Sequence, residues 1–184
     1  MVLITTQVNV PYFGDAIEST LRCTSCGWRH ADFMIMGQKE PVRLALNVSD
    51  ERGLSVRVIR ANSGTVRIPE LGFVAEPSPL SESYVSNVEG VLERAKDILL
   101  TALDWHKEDP AKVELLHHYL ATYEGMMTGT HPFTLIIDDP LGNSAIVSED
   151  VQKRALTEQE IADLKTGMTV IDLADIDPDQ LVGE

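Results

Sequence analysis

The only two cysteines of the chain lie within one short segment, Cys23-Thr24-Ser25-Cys26-Gly27. Two thiolates separated by two residues can bind the same metal ion, and the glycine that follows lets the backbone turn so that N–H groups point at the sulfur atoms. This arrangement is typical of one knuckle of a structural zinc site. Such a site takes four ligands, however, and this pair supplies only two of them.

Three interpretations of this half-site are open. In the first, the missing ligands come from a second cysteine pair upstream of residue 1. In the second, a histidine completes the site, and His30, four positions after Cys26, is close enough in sequence to do so. In the third, Cys23 and Cys26 form a redox dithiol. The third is the weakest, because no βαβ pattern surrounds the motif and no helix begins at the first cysteine to lower its pKa.

A second candidate site follows an apolar run, where the sequence reads Asp138-Asp139-Pro140-Leu141-Gly142-Asn143-Ser144. Paired carboxylates can hold a divalent cation or act as general acid and base. The same residue types also form turns, because Asp precedes Pro, Gly allows a positive φ angle, and Asn and Ser bond locally to the backbone. The composition favours the structural turn, although a shaped polar loop is also a place where a partner can dock.

The composition of the chain limits the kinds of ligand and partner that these sites can bind. A chain of 184 residues with 43% apolar side chains can build one sizeable core and a small appendage. Its formal net charge of -14 repels phosphate backbones, which argues against nucleic acid as a ligand. The opening residues have no basic region and too short an apolar run for a signal peptide, and no later stretch approaches the ~18 apolar residues that a membrane span needs. We therefore expect a cytoplasmic protein without a membrane partner.

Motifs of common enzyme classes are absent from the sequence. It contains no G-x-S-x-G, no H-E-x-x-H, no Walker sequence and no dinucleotide fingerprint. The sequence therefore predicts a protein that is not an enzyme.

The periodicity of apolar residues predicts mostly β structure. Apolar residues alternate over 42–48 and 54–60, on either side of a polar break at 49–53, which predicts a β-hairpin. Further short strands, each bounded by Gly, Pro, Asn or Asp, are predicted over 17–22, 65–68, 133–137, 145–147 and 169–171.

Two helices interrupt this β pattern. The first is predicted over 87–105, behind a capping box formed by Ser86 and Glu89. The second is predicted over 110–128, with Asp109 as its N-cap and a proline at its first position. Because the link between them is so short, the two helices must form an antiparallel hairpin.

A third, shorter helix begins at the capping box of residues 157–160 and ends at Gly167. The chain is therefore predicted to divide into a partial zinc-ribbon knuckle over 1–40, a β domain over 41–172 that carries the helical hairpin, and an acidic tail over 173–184.

Five motifs, taken together and in this order, resemble those of the Zpr zinc-finger family. They are Val10 to Gly14, Cys23 to His30 with Asp32, Ile68 to Gly72, Val85 to Leu92, and Phe133 to Ser144. The similarity covers residues 8 to 150, and five ordered motifs are much more specific than any one of them. The chain looks like an archaeal-type member with a single unit, and it departs from the family in lacking the upstream cysteine pair.

The resemblance implies a zinc ribbon packed beside a jelly-roll-like β domain, of the double-stranded β-helix type, with the helical hairpin inserted in it. Zinc would be held by Cys23 and Cys26, in a site left incomplete by this chain. Eukaryotic relatives with two such units bind the GTP-dependent translation elongation factor that delivers aminoacyl-tRNA and assist its folding. The implied function is therefore a protein-interaction module, with that GTPase as its partner.

Candidate partner contacts flank the knuckle and occupy the polar turn: Trp28, Arg29, His30, Asp138, Asp139, Asn143 and Ser144. Aromatic side chains and arginine are enriched at interface hot spots. For Trp28 itself, we expect a buried position as a buttress under the knuckle rather than an exposed one as an anchor. The alternative function comes from the same fold, which also houses cupin-like metal-dependent enzymes and small-molecule-binding proteins. In such proteins the metal or ligand site contains histidines and carboxylates close together on strands. No histidine of this sequence lies next to another histidine or a carboxylate in a predicted strand.

Overall fold

The computed structural model describes residues 1–11, 14–78 and 81–165. The predicted strand at 169–171, the predicted helix end at Gly167 and the acidic tail lie outside the described residues. The described strands are β1 (Val2–Val10), β2 (Gly14–Arg22), β3 (Arg29–Ile35), β4 (Val42–Val48), β5 (Arg57–Arg60), β6 (Thr65–Ile68), β7 (Phe73–Ala75), β8 (Tyr84–Asn87), β9 (Phe133–Asp139), β10 (Ala145–Val147) and β11 (Gln152–Ala155). The described α-helices are α1 (Glu51–Leu54), α2 (Val88–Trp105), α3 (Pro110–Met127) and α4 (Glu158–Asp163).

These strands form three antiparallel sheets. The knuckle sheet has the order β1-β2-β3, a second sheet has the order β10-β5-β8, and a five-stranded sheet has the order β11-β4-β9-β6-β7. The second and third sheets share one buried cluster and form a jelly-roll-like sandwich. The predicted fold class, mainly β with a helical insertion, is confirmed.

The core of the sandwich follows from the alternation of β4. Its alternate residues are at most 4% exposed: Val42, Leu44, Leu46 and Val48. They belong to the same buried cluster as Leu135 and Ile137 of β9, Val58 of β5 and Ile146 of β10. Burying each such side chain stabilises the fold by about 1.5–3 kcal/mol, so the pattern that predicted the strand also identifies its inward face.

The predicted hairpin between 42–48 and 54–60 is wrong. Strand β4 pairs with β9 and β11, whereas β5 pairs with β8 and β10 in the opposite sheet. The polar break forms helix α1, whose N-cap Asp50 accepts hydrogen bonds from the N–H groups of Arg52 and Gly53. This helix carries the chain from one sheet to the other. The alternation of apolar residues shows which face of a strand is buried, but it does not show which other strand pairs with it.

The helical hairpin is confirmed, with α2 and α3 packed against each other. Asp109 caps α3 as predicted, with its side chain accepting from the N–H of Lys112. The predicted capping box of α2 is wrong, because Asn87 is its N-cap and accepts from the N–H of Gly90. The capping box of α4, between Thr157 and Glu160, is present as predicted.

The knuckle sheet contacts the sandwich through the end that lies away from the cysteines. Val10 and Ile35 pack against Ile59 and Ala61 of the sandwich, and Ala16 is fully buried. The opposite end of the sheet is exposed, including Leu3 and Ile4 of β1. Among the helices of the described residues, none has the length and apolar character needed to cross a membrane.

Candidate metal knuckle and partner surface

The knuckle, residues 23–28, is the turn that joins β2 to β3. The N–H of Cys23 donates to the carbonyl of Trp28 at 2.8 Å, and the N–H of Gly27 donates to the carbonyl of Cys23 at 3.1 Å. Gly27 has a φ of 75°, a conformation that costs a residue with a Cβ about 1–2 kcal/mol. The predicted role of the glycine is therefore visible in the turn, which holds the two cysteines together.

Backbone N–H groups of the turn donate hydrogen bonds to the Cys23 thiol. Hydrogen bonds from the backbone of Cys26, and then of Ser25, lower the pKa of the Cys23 thiol. They favour the thiolate, which is the form of cysteine that binds metals. Both cysteines are free thiols. The knuckle therefore places two free thiols in one turn, and backbone hydrogen bonds favour the thiolate form of Cys23.

The other half is not supplied by the described part of the chain. No group of three or more His, Cys, Asp or Glu residues there could hold a metal ion, so the structure does not bring His30 together with the two cysteines. The ring of His30 instead stacks on Trp28, with ring centroids 5.9 Å apart and 12° between the planes. Trp28 is 51% exposed, so it is available to a partner and does not act as a buried buttress.

The start of β1 lies at the same end of the sheet as the knuckle. Val2 pairs with Arg22, the residue immediately before Cys23. A backbone segment that precedes Val2 therefore enters the fold beside the cysteines.

The second candidate site, the polar loop of residues 138–144, is built around the buried carboxylate of Asp139. That carboxylate accepts hydrogen bonds from the Ser63 hydroxyl at 2.7 Å, from the N–H of Leu141 at 2.9 Å and from the N–H of Ser144 at 2.7 Å. The carbonyl of Asp139 also accepts from the N–H of Gly142. These bonds are the turn chemistry that the sequence indicates.

The polar loop also holds the linker, residues 36–41, which joins β3 of the knuckle sheet to β4 of the sandwich. The Asn143 amide donates to the carbonyl of Gly37 at 2.7 Å, and the N–H of Lys39 donates to the carbonyl of Leu141 at 2.9 Å. The Ser144 hydroxyl accepts from the N–H of Ala61 at 3.0 Å. Because Asn143 and Ser144 are buried, any effect of theirs on a partner would act through the position of the linker.

Asp138 faces a different set of groups from Asp139, since successive residues of a strand point to opposite faces. Its carboxylate is fully buried and pairs with Arg43, at 2.5 and 2.9 Å, and with Arg67. These hydrogen bonds raise the pKa of Arg43. Arg43 also lies 3.1 Å from Glu160 of α4. The two aspartates are therefore held separately and do not face one common ion.

One surface groove contains site residues that sequence reasoning did not select. It has a volume of about 590 Å³ and is lined by Ile4, Thr6, Glu18, Thr20, Arg22, Gly27 and Arg29. Of these residues only Arg29 was a predicted partner contact. The polar residues at 18, 20 and 22 lie at alternate positions of the predicted strand 17–22, which indicates one shared face. That signal was available, but β1, which supplies Ile4 and Thr6, and β3, which supplies Arg29, were not predicted.

Comparison with known proteins gives a consistent result. Residues 52–165 match the ZPR1 jelly-roll domain. An uncharacterised ZPR1-like protein of Pyrococcus horikoshii is 41% identical over 174 residues, which cover 94% of this chain and 76% of that protein. Another from Methanocaldococcus jannaschii is 40% identical over 174 residues, covering 94% and 86%. The zinc finger chaperone zpr1 of Schizosaccharomyces pombe is 28% identical over 142 residues, covering 74% of this chain but only 31% of that protein.

Proposed function

Because the chain belongs to the ZPR1 family, we propose that it is a cytoplasmic zinc-finger module that binds the translation elongation GTPase delivering aminoacyl-tRNA and acts as its chaperone. The observation that carries this proposal is the exposed end of the knuckle sheet, where Trp28 is half exposed beside the exposed Arg29 and His30. Aromatic residues and arginine dominate interface hot spots. The fission yeast relative is named a chaperone, and the family resemblance supplies the identity of the client.

The interior of the sandwich supports a function carried by the surface. Cupin-like proteins hold their ligands between the two sheets of this fold. Here that space is occupied by buried apolar side chains of both sheets, among them Leu44, Val58, Leu135 and Ile146. The net charge of -14 also favours a basic protein surface over a nucleic acid as the partner.

We also propose that Cys23 and Cys26 hold one side of a structural zinc ion. Bound zinc would fix the turn and, with it, the orientation of the flanking Trp28 and Arg29. The backbone hydrogen bonds to the Cys23 thiol fit this role. Two further ligands would come from outside the described residues, and the pairing of Val2 with Arg22 gives an upstream segment direct access to the knuckle.

Purified protein of this sequence is expected to hold clearly less than one zinc ion per monomer, because two thiolates leave half of the coordination sphere open. A dimer in which two knuckles share one ion would hold about half an equivalent per chain. Elemental analysis combined with light scattering after size exclusion distinguishes these states, and Cys26→Ser serves as the metal-free control. A monomer carrying one full equivalent of zinc would show that ligands within the chain were missed.

Arg29→Ala is expected to weaken binding to the elongation GTPase about tenfold, roughly 1.4 kcal/mol, without changing the Tm, because Arg29 is exposed. Arg52→Ala is the matched control, since Arg52 is 92% exposed on α1 and lies outside the knuckle. A pull-down from native extract, read by mass spectrometry, identifies the captured client, and titration with the GDP and GTP forms gives the affinities. Equal affinities of the two variants would mean that the knuckle is not the contact surface.

A further inference from the structure

Two arginines stand directly opposite each other at the knuckle end of the groove. Arg22, the last residue of β2, pairs in register with Arg29, the first residue of β3, and both side chains are exposed and line the groove. Directly opposed side chains on neighbouring strands have their Cβ atoms about 5 Å apart, and like charges placed so destabilise the pair. The arrangement therefore carries a cost that a bound anion would remove.

Within the described residues, no carboxylate forms an ion pair with either arginine. The ion pairs of arginine and lysine there involve other residues, and neither Arg22 nor Arg29 lies within 4.0 Å of a carboxylate. The chain has 29 acidic against 15 basic side chains. An exposed arginine pair without a carboxylate partner is therefore unusual in a chain with this excess of acidic side chains.

The groove continues from this pair along the face of the sheet. Ile4 pairs with Thr20 in the next row, and Thr6 pairs with Glu18 in the row after that. Glu18 lies four residues from Arg22 on the same strand, a separation of about 13 Å along β2. The groove therefore has a positive end at the knuckle, a partly apolar middle and a carboxylate at its far end.

We propose that this groove binds an extended segment of a partner protein that carries an acidic residue and, four residues later, a basic one. A glutamate or aspartate of that segment lies between Arg22 and Arg29, where guanidinium groups match a carboxylate with paired hydrogen bonds. Four residues further along the segment, a lysine or arginine meets Glu18, because an extended peptide has the same rise per residue as β2. The groove includes Arg29 of the partner surface proposed above. The peptide specificity therefore rests on the proposed function in one respect, that the knuckle end is a binding surface.

A direct test is fluorescence anisotropy with a short labelled peptide of serine and threonine that carries one glutamate and, four residues later, one lysine. The intact chain is expected to bind this peptide with a Kd on the order of 100 μM. Replacing the glutamate of the peptide by glutamine, or moving the lysine to two residues away, is expected to weaken binding about tenfold. Neither comparison depends on the folding of a variant protein.

On the protein side, the double variant R22Q/R29Q is expected to weaken binding about tenfold. The control R52Q/K153Q removes the same number of positive charges from other exposed positions and should leave the Kd within about twofold. The inference is overturned by equal affinity for the glutamate and glutamine peptides, by equal affinity for the two lysine spacings, or by an equal loss in the control. Because the GTPase is not in this assay, its failure is distinct from a failure of the proposed function.

Discussion

Asp138→Ala is expected to destabilise the protein by about 3–5 kcal/mol, the cost of breaking a buried ion pair from one side. Asp138 is fully buried, and its carboxylate is the shared partner of Arg43 and Arg67, whose side chains are about 70% covered. Removing the carboxylate leaves two guanidinium groups facing each other with no anion between them. Urea unfolding followed by circular dichroism measures this loss as a lower midpoint.

Glu160→Ala is the matched control for this experiment. Glu160 also contacts Arg43, but it does so from the short helix α4, where it also pairs with Arg154 and accepts from the N–H of Thr157 in the capping box. We expect its loss to cost about 1 kcal/mol, the usual cost of a lost helix cap, which is clearly less than the loss in Asp138→Ala. If Asp138→Ala unfolds at the same urea concentration as Glu160→Ala, the buried ion pair does not stabilise the sandwich.

Gly142→Ala is expected to destabilise the protein by about 3 kcal/mol, the sum of backbone strain and overpacking. Gly142 has a φ of 67°, which L residues rarely adopt. A Cβ atom at this position would also lie 2.2 Å from the carbonyl oxygen of Glu40. Neither group is free to move alone, since the linker residue Lys39 is hydrogen-bonded to Leu141 of the same loop.

Gly14→Ala separates the two contributions. Gly14 has a φ of 82°, and a Cβ added there would meet no atom within 4 Å. This control therefore pays only the backbone strain, about 1–2 kcal/mol. Thermal unfolding of both variants gives the difference, at about 2–4 °C per kcal/mol for a chain of this size. Equal Tm values for the two variants would contradict the close contact between the polar loop and the linker.

Local patterns predicted the elements that depend on local chemistry. Three local signals each fix an element within a few residues: the aspartate N-cap and first-position proline of α3, the capping box of α4, and the alternation of β4. Strand β11 was missed because all four of its residues are exposed and carry no apolar alternation. Its pairing with β4 rests on backbone hydrogen bonds, which leave no pattern in the side chains.

Which strands pair with each other depends on residues far apart in the sequence, and the wrong prediction of a hairpin between 42–48 and 54–60 concerns this pairing. The alternation over 42–48 and 54–60 is the same whether the two segments pair with each other or face each other across a sandwich. The candidate site also has a part that local spacing predicts and a part that depends on strand pairing. The spacing of Cys23 and Cys26 indicates a metal knuckle directly, whereas the opposition of Arg22 and Arg29 depends on the register between β2 and β3.

Calorimetric titration of the two purified proteins is the decisive test of the proposal that this chain binds the translation elongation GTPase. The wild-type chain, with its folded state checked by its Tm, is titrated into the GTPase in its GDP form and in its GTP form. We expect saturable binding to at least one form, with a Kd on the order of 1 μM. If the folded chain binds neither nucleotide form, it is not a binding module for this GTPase.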